Sequence, residues 1–401
     1  MPATETTKRH LGVFSPNRLA PIHRWYPFVE GYSRQLIERS LLGAAGSEVV
    51  MDPFAGSGTT LLAAAEAGHS AFYAEANPFM AWVTTVKTTL TQPILGDSDG
   101  IELLREFAHE VRSRTRKQKH ADSAISKINE LRDYFPSSNM SAIEATKERI
   151  SDALPEHLQS HALLAIAAAL VPSSNMIRRT DLRRRTIRDP KPADFRATFA
   201  SKLVQIAEDL EVDDPGTFGE VRRVSNDARM YETPVPIDRF ITSPPYLNGT
   251  NYGRNTKLEL LTLGFISSEA DLSPLRRREI TAGINNVTRN EVGDVPEAAR
   301  SSYDALVDTT YDHRIPIMVA AYFRDMERVL QSMRANARPG ASLVFDIGDS
   351  RYSGVTIPVH TIIAMIGSQL GWELTSEEQL RARRSFDGTP LKQVILNFVA
   401  H

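Results

Sequence analysis

Asp52-Pro53-Phe54-Ala55-Gly56-Ser57-Gly58-Thr59-Thr60 is the stretch of this 401-residue chain whose reading decides the fold. The short run Glu48-Val49-Val50-Met51 enters it as a strand, and a Leu- and Ala-rich helix over about Thr59 to Ala67 leaves it. Gly56 and Gly58 allow a tight turn and a close backbone approach to a ligand, while the helix N-terminus offers free N–H donors. His69 to Ala74 reads as the next strand, ending at Glu75, and Asn77-Pro78 opens another helix. This strand–helix–strand unit carries its ligand edge at the strand C-termini. A carboxylate at Glu75 can accept hydrogen bonds from both hydroxyls of a ribose. The turn is not a phosphate-binding loop, because Gly58 is followed by Thr59 rather than Lys. Position 61 is Leu, so the full dinucleotide spacing is missing as well. By itself the turn also fits a purely structural role in an unrelated α/β protein.

Outward from this unit the pattern changes twice. Between about residues 86 and 215 apolar residues recur at helical spacing through Ile101–Val111, Ile125–Tyr134, Ile143–Leu154, Leu158–Val171 and Phe195–Leu210, with strand-like alternation nearly absent. This region reads as a helical insertion. Alternating signals then return: a strand Val221–Val224 leading to Asp227, a strand Ile237–Thr242, a helix Ile317–Leu330 and a strand Ser342–Ile347. A helix Val359–Leu370, a short strand Trp372–Leu374 and a closing strand Val394–Val399 complete the chain. The expected fold is therefore α/β and Rossmann-like, a mostly parallel seven-stranded sheet with helices on both faces. Residues 1–85 and 216–401 would form its main body, interrupted by the insertion 86–215. Residues 268–312 are polar and weakly periodic, and read as a long functional loop or small subdomain.

Composition narrows the chemistry. Apolar residues make up 41% and charged residues 24%, as in an ordinary soluble globular protein. No N-terminal stretch reads as a signal peptide, and the apolar run Ala162–Val171 is too short for a bilayer, so a cytoplasmic location and no membrane partner are expected. The formal charge of −2 leaves any nucleic-acid affinity to local basic patches. There is no cysteine. That excludes disulfides, thiolate zinc sites and a thiol nucleophile of the kind carbon-5 cytosine methylation needs. His157 and His161 stand four apart, but Leu158 follows the first, so the zinc-protease helix is not satisfied and no metal is expected.

The second informative stretch is Thr242-Ser243-Pro244-Pro245-Tyr246, at the end of a strand. Ser243 Oγ and the Pro244 carbonyl can accept hydrogen bonds from an exocyclic amino group, favouring a pyramidal nitrogen with an available lone pair. Pro244 and Pro245 fix the backbone that holds them. Tyr246 can stack on a base rotated out of a duplex. A proline-rich turn without function is the plain alternative.

Together the two motifs resemble the amino-DNA methyltransferases. The likeness is carried by His23-Arg24-Trp25 with Ser33, the Asp52–Thr60 turn and Ser243–Tyr246. The continuation through Tyr252, Lys257-Leu258-Glu259-Leu260 and Leu263-Gly264-Phe265 adds to it. It covers roughly residues 20–85 and 220–400. The resemblance implies S-adenosylmethionine as cofactor, held by Trp25, Ser33, the residues Asp52, Pro53, Phe54, Ala55, Gly56, Ser57, Gly58, Thr59 and Thr60, then Glu75, Ala76, Asn77, Asp227 and Ala228. Trp25 and Ser33 would lie by the methionine carboxylate, and Asp227 would receive the adenine amino group. Serine at position 243 is more usual in cytosine-N4 enzymes, so that activity on double-stranded DNA is expected, in a bacterial or archaeal restriction–modification system with a cognate restriction endonuclease. Adenine-N6 methylation, an RNA base, and a non-catalytic nucleic-acid-binding subunit remain open readings. In the family's usual arrangements the recognition region does not stand before the third strand, where this chain carries its long insertion.

Three basic clusters are candidate DNA contacts. Arg178, Arg179, Arg183, Arg184, Arg185, Arg188 and Lys191 form the densest. Arg276, Arg277 and Arg278 form another, and Arg114, Arg116, Lys117 and Lys119 a third. Each is also compatible with a solvated surface. Asp346 and Asp349 flank a strand end and either line the base pocket or serve structure alone.

Overall fold

A computed structural model describes residues 10–28, 31–44, 46–114, 129–178, 181–213, 216–249, 252–287, 293–385 and 387–401. The strands are β1 (Val49–Asp52), β2 (Ser70–Ala74), β3 (Met176–Arg178), β4 (Leu182–Arg184), β5 (Val221–Ser225) and β6 (Ile237–Thr242). They continue with β7 (Ala337–Gly348), β8 (Ser350–Tyr352), β9 (Val355–Ile357), β10 (Trp372–Arg384) and β11 (Pro390–Ala400). Seven of them make one sheet in the order β5-β2-β1-β6-β7-β11-β10. β5, β2, β1, β6 and β7 pair in parallel, and β11 runs antiparallel to both β7 and β10. This is the Rossmann-like methyltransferase fold expected from the sequence.

The chain leaves β1 for β2 on one side and later returns to β6 on the other. The C-terminal ends of β1 and β6 therefore flank the switch point, where an open α/β sheet has its natural crevice. The helices Arg34–Leu41 and Thr59–Glu66 cover one face, burying Leu36, Ile37, Leu61 and Ala64 against Val50 and Ile241. Arg314–Asn336 and Val359–Gln369 cover the other, with Met326, Val329 and Ile363 against Phe240, Leu343 and Phe398.

Between β2 and β5 lie the helices Pro78–Lys87, Ser98–Ser113, Ser137–Ala153, Glu156–Ser173 and Phe195–Leu210. Local capping starts several of them: Asn77 accepts from the Phe79 and Met80 amides, Asp97 from Gly100 and Asp194 from Ala197. Phe79, Val83 and Val86 share one core with Leu104, Leu164, Phe199 and Leu203. The last two stand four apart on one buried face of the helix Phe195–Leu210. The inserted helices are thus packed onto the main body through Pro78–Lys87 rather than tethered to it.

Two expectations need correction. The insertion is not wholly helical, because β3 and β4 form a two-stranded hairpin within it. Its alternation is too short to register against the surrounding helical periodicity. The strand begun at Trp372 runs on to Arg384, as the charged edge strand of the sheet. Its exposed Glu373 and Glu377 hide it from a hydrophobicity pattern and suit an edge that must not recruit another chain. The segment 268–312 contains the regular helix Arg300–Thr309 beside several single turns. Residues 125–128, the start of the expected helical stretch to Tyr134, lie outside the described residues. Among the described residues no helix is long and apolar enough to cross a membrane.

Candidate active site

Asp52 and Thr60 stitch the two informative stretches together. Asp52 Oδ1 accepts from the Phe54 amide at 2.9 Å and from Thr242 Oγ at 2.6 Å, and its Oδ2 accepts from the Tyr32 hydroxyl at 2.9 Å. Thr60 Oγ donates to the Ile241 carbonyl at 3.3 Å and hydrogen bonds Tyr32. The end of β1 and the end of β6 are therefore locked in register just before Ser243. Gly56 and Gly58 take positive φ values of 51° and 80°. A Cβ on Gly56 would come within 3.0 Å of Phe28, and one on Gly58 within 3.0 Å of Thr84. Lys87 Nζ, fully buried, donates to the carbonyls of Ser57 and His23 and supports the turn from beneath.

Above the turn a cavity of about 300 Å³ opens at the switch point. On the side of β1, β2 and β5 in the sheet order its lining includes Pro53, Phe54, Gly56, Glu75 and Ala228, together with Met80. Glu75 accepts from the Gly56 and Asn77 amides, each at 2.8 Å, which fixes its carboxylate on the wall. On the side of β6, β7 and β10 the lining includes Ser243, Pro244, Pro245, Tyr246, Asp346 and Arg383. The Tyr246 hydroxyl receives Gln393 Nε2 at 2.9 Å and is hydrogen bonded to Ser243 and Asp346. Arg383 lies 5.1 Å from the Tyr246 ring centroid. Arg381 Nε holds Gln393 Oε1 at 2.6 Å, and Gln393 Nε2 reaches Asp346 Oδ1 at 2.9 Å. Asp349, the other carboxylate at this strand end, instead pairs with His360 Nδ1 at 2.6 Å.

The structure thus brings Pro53, Phe54, Gly56, Glu75, Ala76, Asn77, Ala228 and the Ser243–Tyr246 turn to one cavity. Asp52, Ala55, Ser57, Gly58, Thr59 and Thr60 stand behind that wall. Trp25 does not line it: its Nε1 donates to Asp209 Oδ2 at 2.9 Å and its ring packs edge-on to His161, tying the N-terminal segment to the insertion. Ser33 is buried against the Leu11 carbonyl. Phe28 and Gly31, between them in sequence, do reach the cavity. Asp227 is drawn away by Arg229. Gly12, Val13, Glu279, Arg381, Arg383 and Gln393 belong to no local motif, and only tertiary pairing brings them to the site.

The basic clusters divide in the same way. Arg178 is committed to Glu259 at 2.7 Å and to the Asn255 carbonyl, so its charge is neutralised inside the protein. Arg185 donates to the carbonyls of Ser174 and Pro190, and Arg183 pairs with Asp189 at 2.8 Å. Arg114 pairs with Glu110 one helical turn back, and Arg276 is half-buried. Arg184, Arg188, Lys191, Arg277 and Arg278 are exposed, and Arg278 also lines the cavity. Arg179, Arg116, Lys117 and Lys119 lie outside the described residues. Among the described residues no cluster of side chains is arranged to hold a metal ion.

Burial pushes Glu75 and Glu279 up to about 7 and Asp346 up to about 6. A carboxyl whose folded value is raised contributes stability that is complete below its unfolded value and lost as pH rises through the folded one. The buried bases Lys87, lowered to about 7, and His161, lowered to about 4, act in the opposite sense. The ligand-free protein should therefore melt at lower temperature as the pH is raised from about 5 to about 6.5, with the trend flattening near about 7. Scanning fluorimetry across that range checks this, and a melting temperature that climbs with pH would contradict it.

No protein-family model matches the chain. It is 24% identical to the type II methyltransferase M.AvaI of Nostoc sp., over 92% of this chain and 83% of that protein. It is also 24% identical to the type II methyltransferase M.BsoBI of Geobacillus stearothermophilus, over 95% and 84% respectively. Among solved structures, the rRNA methyltransferase AviRa of Streptomyces viridochromogenes aligns with 96% of this chain and 92% of its own, at 10% identity and a TM-score of 0.31. Similarity to two type II methyltransferases along nearly the whole length supports methyltransferase activity for this chain.

Proposed function

We propose that this protein is an S-adenosylmethionine-dependent DNA methyltransferase that modifies the exocyclic N4 of a cytosine flipped out of duplex DNA, as the protective partner of a restriction endonuclease. The observation that carries this reading is the single cavity onto which both the glycine turn and the Ser243–Tyr246 turn open, with Asp52 bonded across to Thr242. The residues fit the cofactor. Glu75 offers a carboxylate to ribose hydroxyls, Phe28 and Met80 offer apolar faces, and Gly56 leaves room that a Cβ would fill.

When bound, S-adenosylmethionine supplies a methyl group on a positively charged sulfur, which the amino nitrogen takes as the C–S electron pair goes to sulfur and a proton leaves to solvent. Ser243 Oγ and the Pro244 carbonyl accept the amino hydrogens, and Tyr246 holds the ring plane. The two prolines and the Asp52–Thr242 bond keep these groups placed before the substrate arrives. Among the described residues of the basic clusters, Arg184, Arg188, Lys191, Arg277 and Arg278 are exposed and offer charge to phosphates.

Incubation with labelled cofactor and mixed-sequence duplex DNA, followed by digestion and nucleoside mass analysis, tests the proposal. N4-methylcytosine is expected. N6-methyladenine alone would overturn the base, and transfer confined to RNA would overturn the substrate class.

A further inference from the structure

Both carboxylate oxygens of Asp227 accept from Arg229, and Asp227 does not line the cavity that Ala228 and Glu279 line. Oδ1 accepts from the Arg229 amide and Nε, each at 2.9 Å, and Oδ2 accepts from Nη2 at 2.8 Å. The same guanidinium donates to Asp325 Oδ1 at 3.1 Å and to the Arg277 carbonyl at 2.8 Å. Asp325 Oδ2 in turn accepts from the Thr281 amide at 3.0 Å and its hydroxyl at 2.9 Å. Arg229 and Asp325 therefore pin both ends of segment 277–281. Between the pins the segment presents Glu279 and Ile280 to the cavity, on the wall shared with Glu75, Met80 and Ala228.

This arrangement leaves Glu279 as the acceptor facing that end of the cavity. Its carboxyl accepts the Gly253 amide, and a Cβ on Gly253 would come within 2.7 Å of Glu279 Oε1, so it sits against bare backbone. Asn77, the neighbouring polar group, has its Oδ1 occupied by the Phe79 and Met80 amides and its Nδ2 by Thr256. Glu75 holds the adjoining position, where a ribose would lie.

Resting on the cofactor assignment above, we infer that Glu279 receives the 6-amino group of the cofactor's adenine, and that Asp227 acts only through Arg229 as a positioning residue. Met80, Ala228 and Ile280 supply the apolar surface for the purine. Burial, with the Glu75 charge adding to it, favours the protonated carboxyl. In that form the carbonyl accepts from the amino group while the O–H donates to N1 of the same ring edge.

The test is calorimetric titration with S-adenosylhomocysteine and with its analogue in which the purine lacks the 6-amino group. The wild-type protein should prefer the adenine ligand by about tenfold. Glu279→Leu should remove that preference, while Glu279→Gln, which keeps a carbonyl acceptor and an N–H donor, should retain most of it. Equal weakening of both ligands by Glu279→Leu would show a structural role and overturn the inference. So would loss of the preference in Asp227→Ala with Glu279→Leu still selective. Failure of the wild-type protein to bind S-adenosylhomocysteine at all would instead refute the cofactor assignment on which the inference rests.

Discussion

Asp52→Ala is expected to lower methyl transfer by about 100-fold and to destabilise the fold by about 2–4 kcal/mol. Three donors lose their acceptor at once: the Phe54 amide, Thr242 Oγ and the Tyr32 hydroxyl. Leaving a buried donor unsatisfied costs about 1–3 kcal/mol, so three would sum to more than the expected loss. The difference is the relief of burial. Asp52 is itself raised above the usual carboxylate range by burial, despite the hydrogen bonds that oppose the shift. Removing it returns part of that desolvation cost. A functional loss accompanies the thermodynamic one because Thr242 precedes Ser243 directly. Without its anchor, the acceptors at Ser243 and Pro244 are no longer held against the glycine turn, and small misplacements cost about 100-fold in rate. Asp52→Asn keeps one carbonyl oxygen for Phe54 and Thr242 and should fall between the two. Chemical denaturation and single-turnover transfer measure both effects. An Asp52→Ala protein with wild-type turnover would show that the bond from β1 to β6 is incidental to the site.

What is legible in the sequence follows from how local each signal is. The turn Asp52–Thr60, the carboxylate Glu75 and the Ser243–Tyr246 turn each sit at the end of a hydrophobic strand, where composition and position coincide. The opposite wall has no such signature. Gln393 and Arg381 face each other across β11 and β10, and Gln393 pairs with Gly348 on β7. That register joins residues 45 apart in the chain, Gly348 and Gln393, and nothing in either local stretch announces the meeting. Glu279 is hidden for a different reason, since a polar segment reads as loop whether or not one of its carboxyls is buried. Trp25 and Arg178 mislead in the reverse direction. Each looks functional in its stretch of sequence, but Asp209 and Glu259, supplied from elsewhere in the chain, bind them into the core.

Tyr246→Ala is expected to lower kcat by about 100-fold while leaving cofactor affinity within about threefold. Tyr246 follows β6 and Glu75 follows β2, on opposite sides of β1 in the sheet, both lining the cavity, and the Tyr246 hydroxyl is held by Gln393 at 2.9 Å. Loss of a base–aromatic stack costs about 1–3 kcal/mol, which alone spans roughly 5- to 150-fold. The alanine also strands Arg383, which packs 5.1 Å from the ring centroid, so the upper part of that range applies. Tyr246→Phe separates the two contributions. It keeps the stacking face and removes only the hydroxyl linked to Gln393, Ser243 and Asp346, so a loss of about tenfold or less is expected. Turnover on duplex DNA, titration with S-adenosylhomocysteine and the fluorescence of 2-aminopurine at the target position provide three independent readouts. The probe should brighten in the alanine variant, because a flipped base no longer stacks on an aromatic ring. Cofactor affinity falling in step with turnover would place the ring against the cofactor instead of the base, and the division of the cavity into a cofactor half and a base half would have to be redrawn.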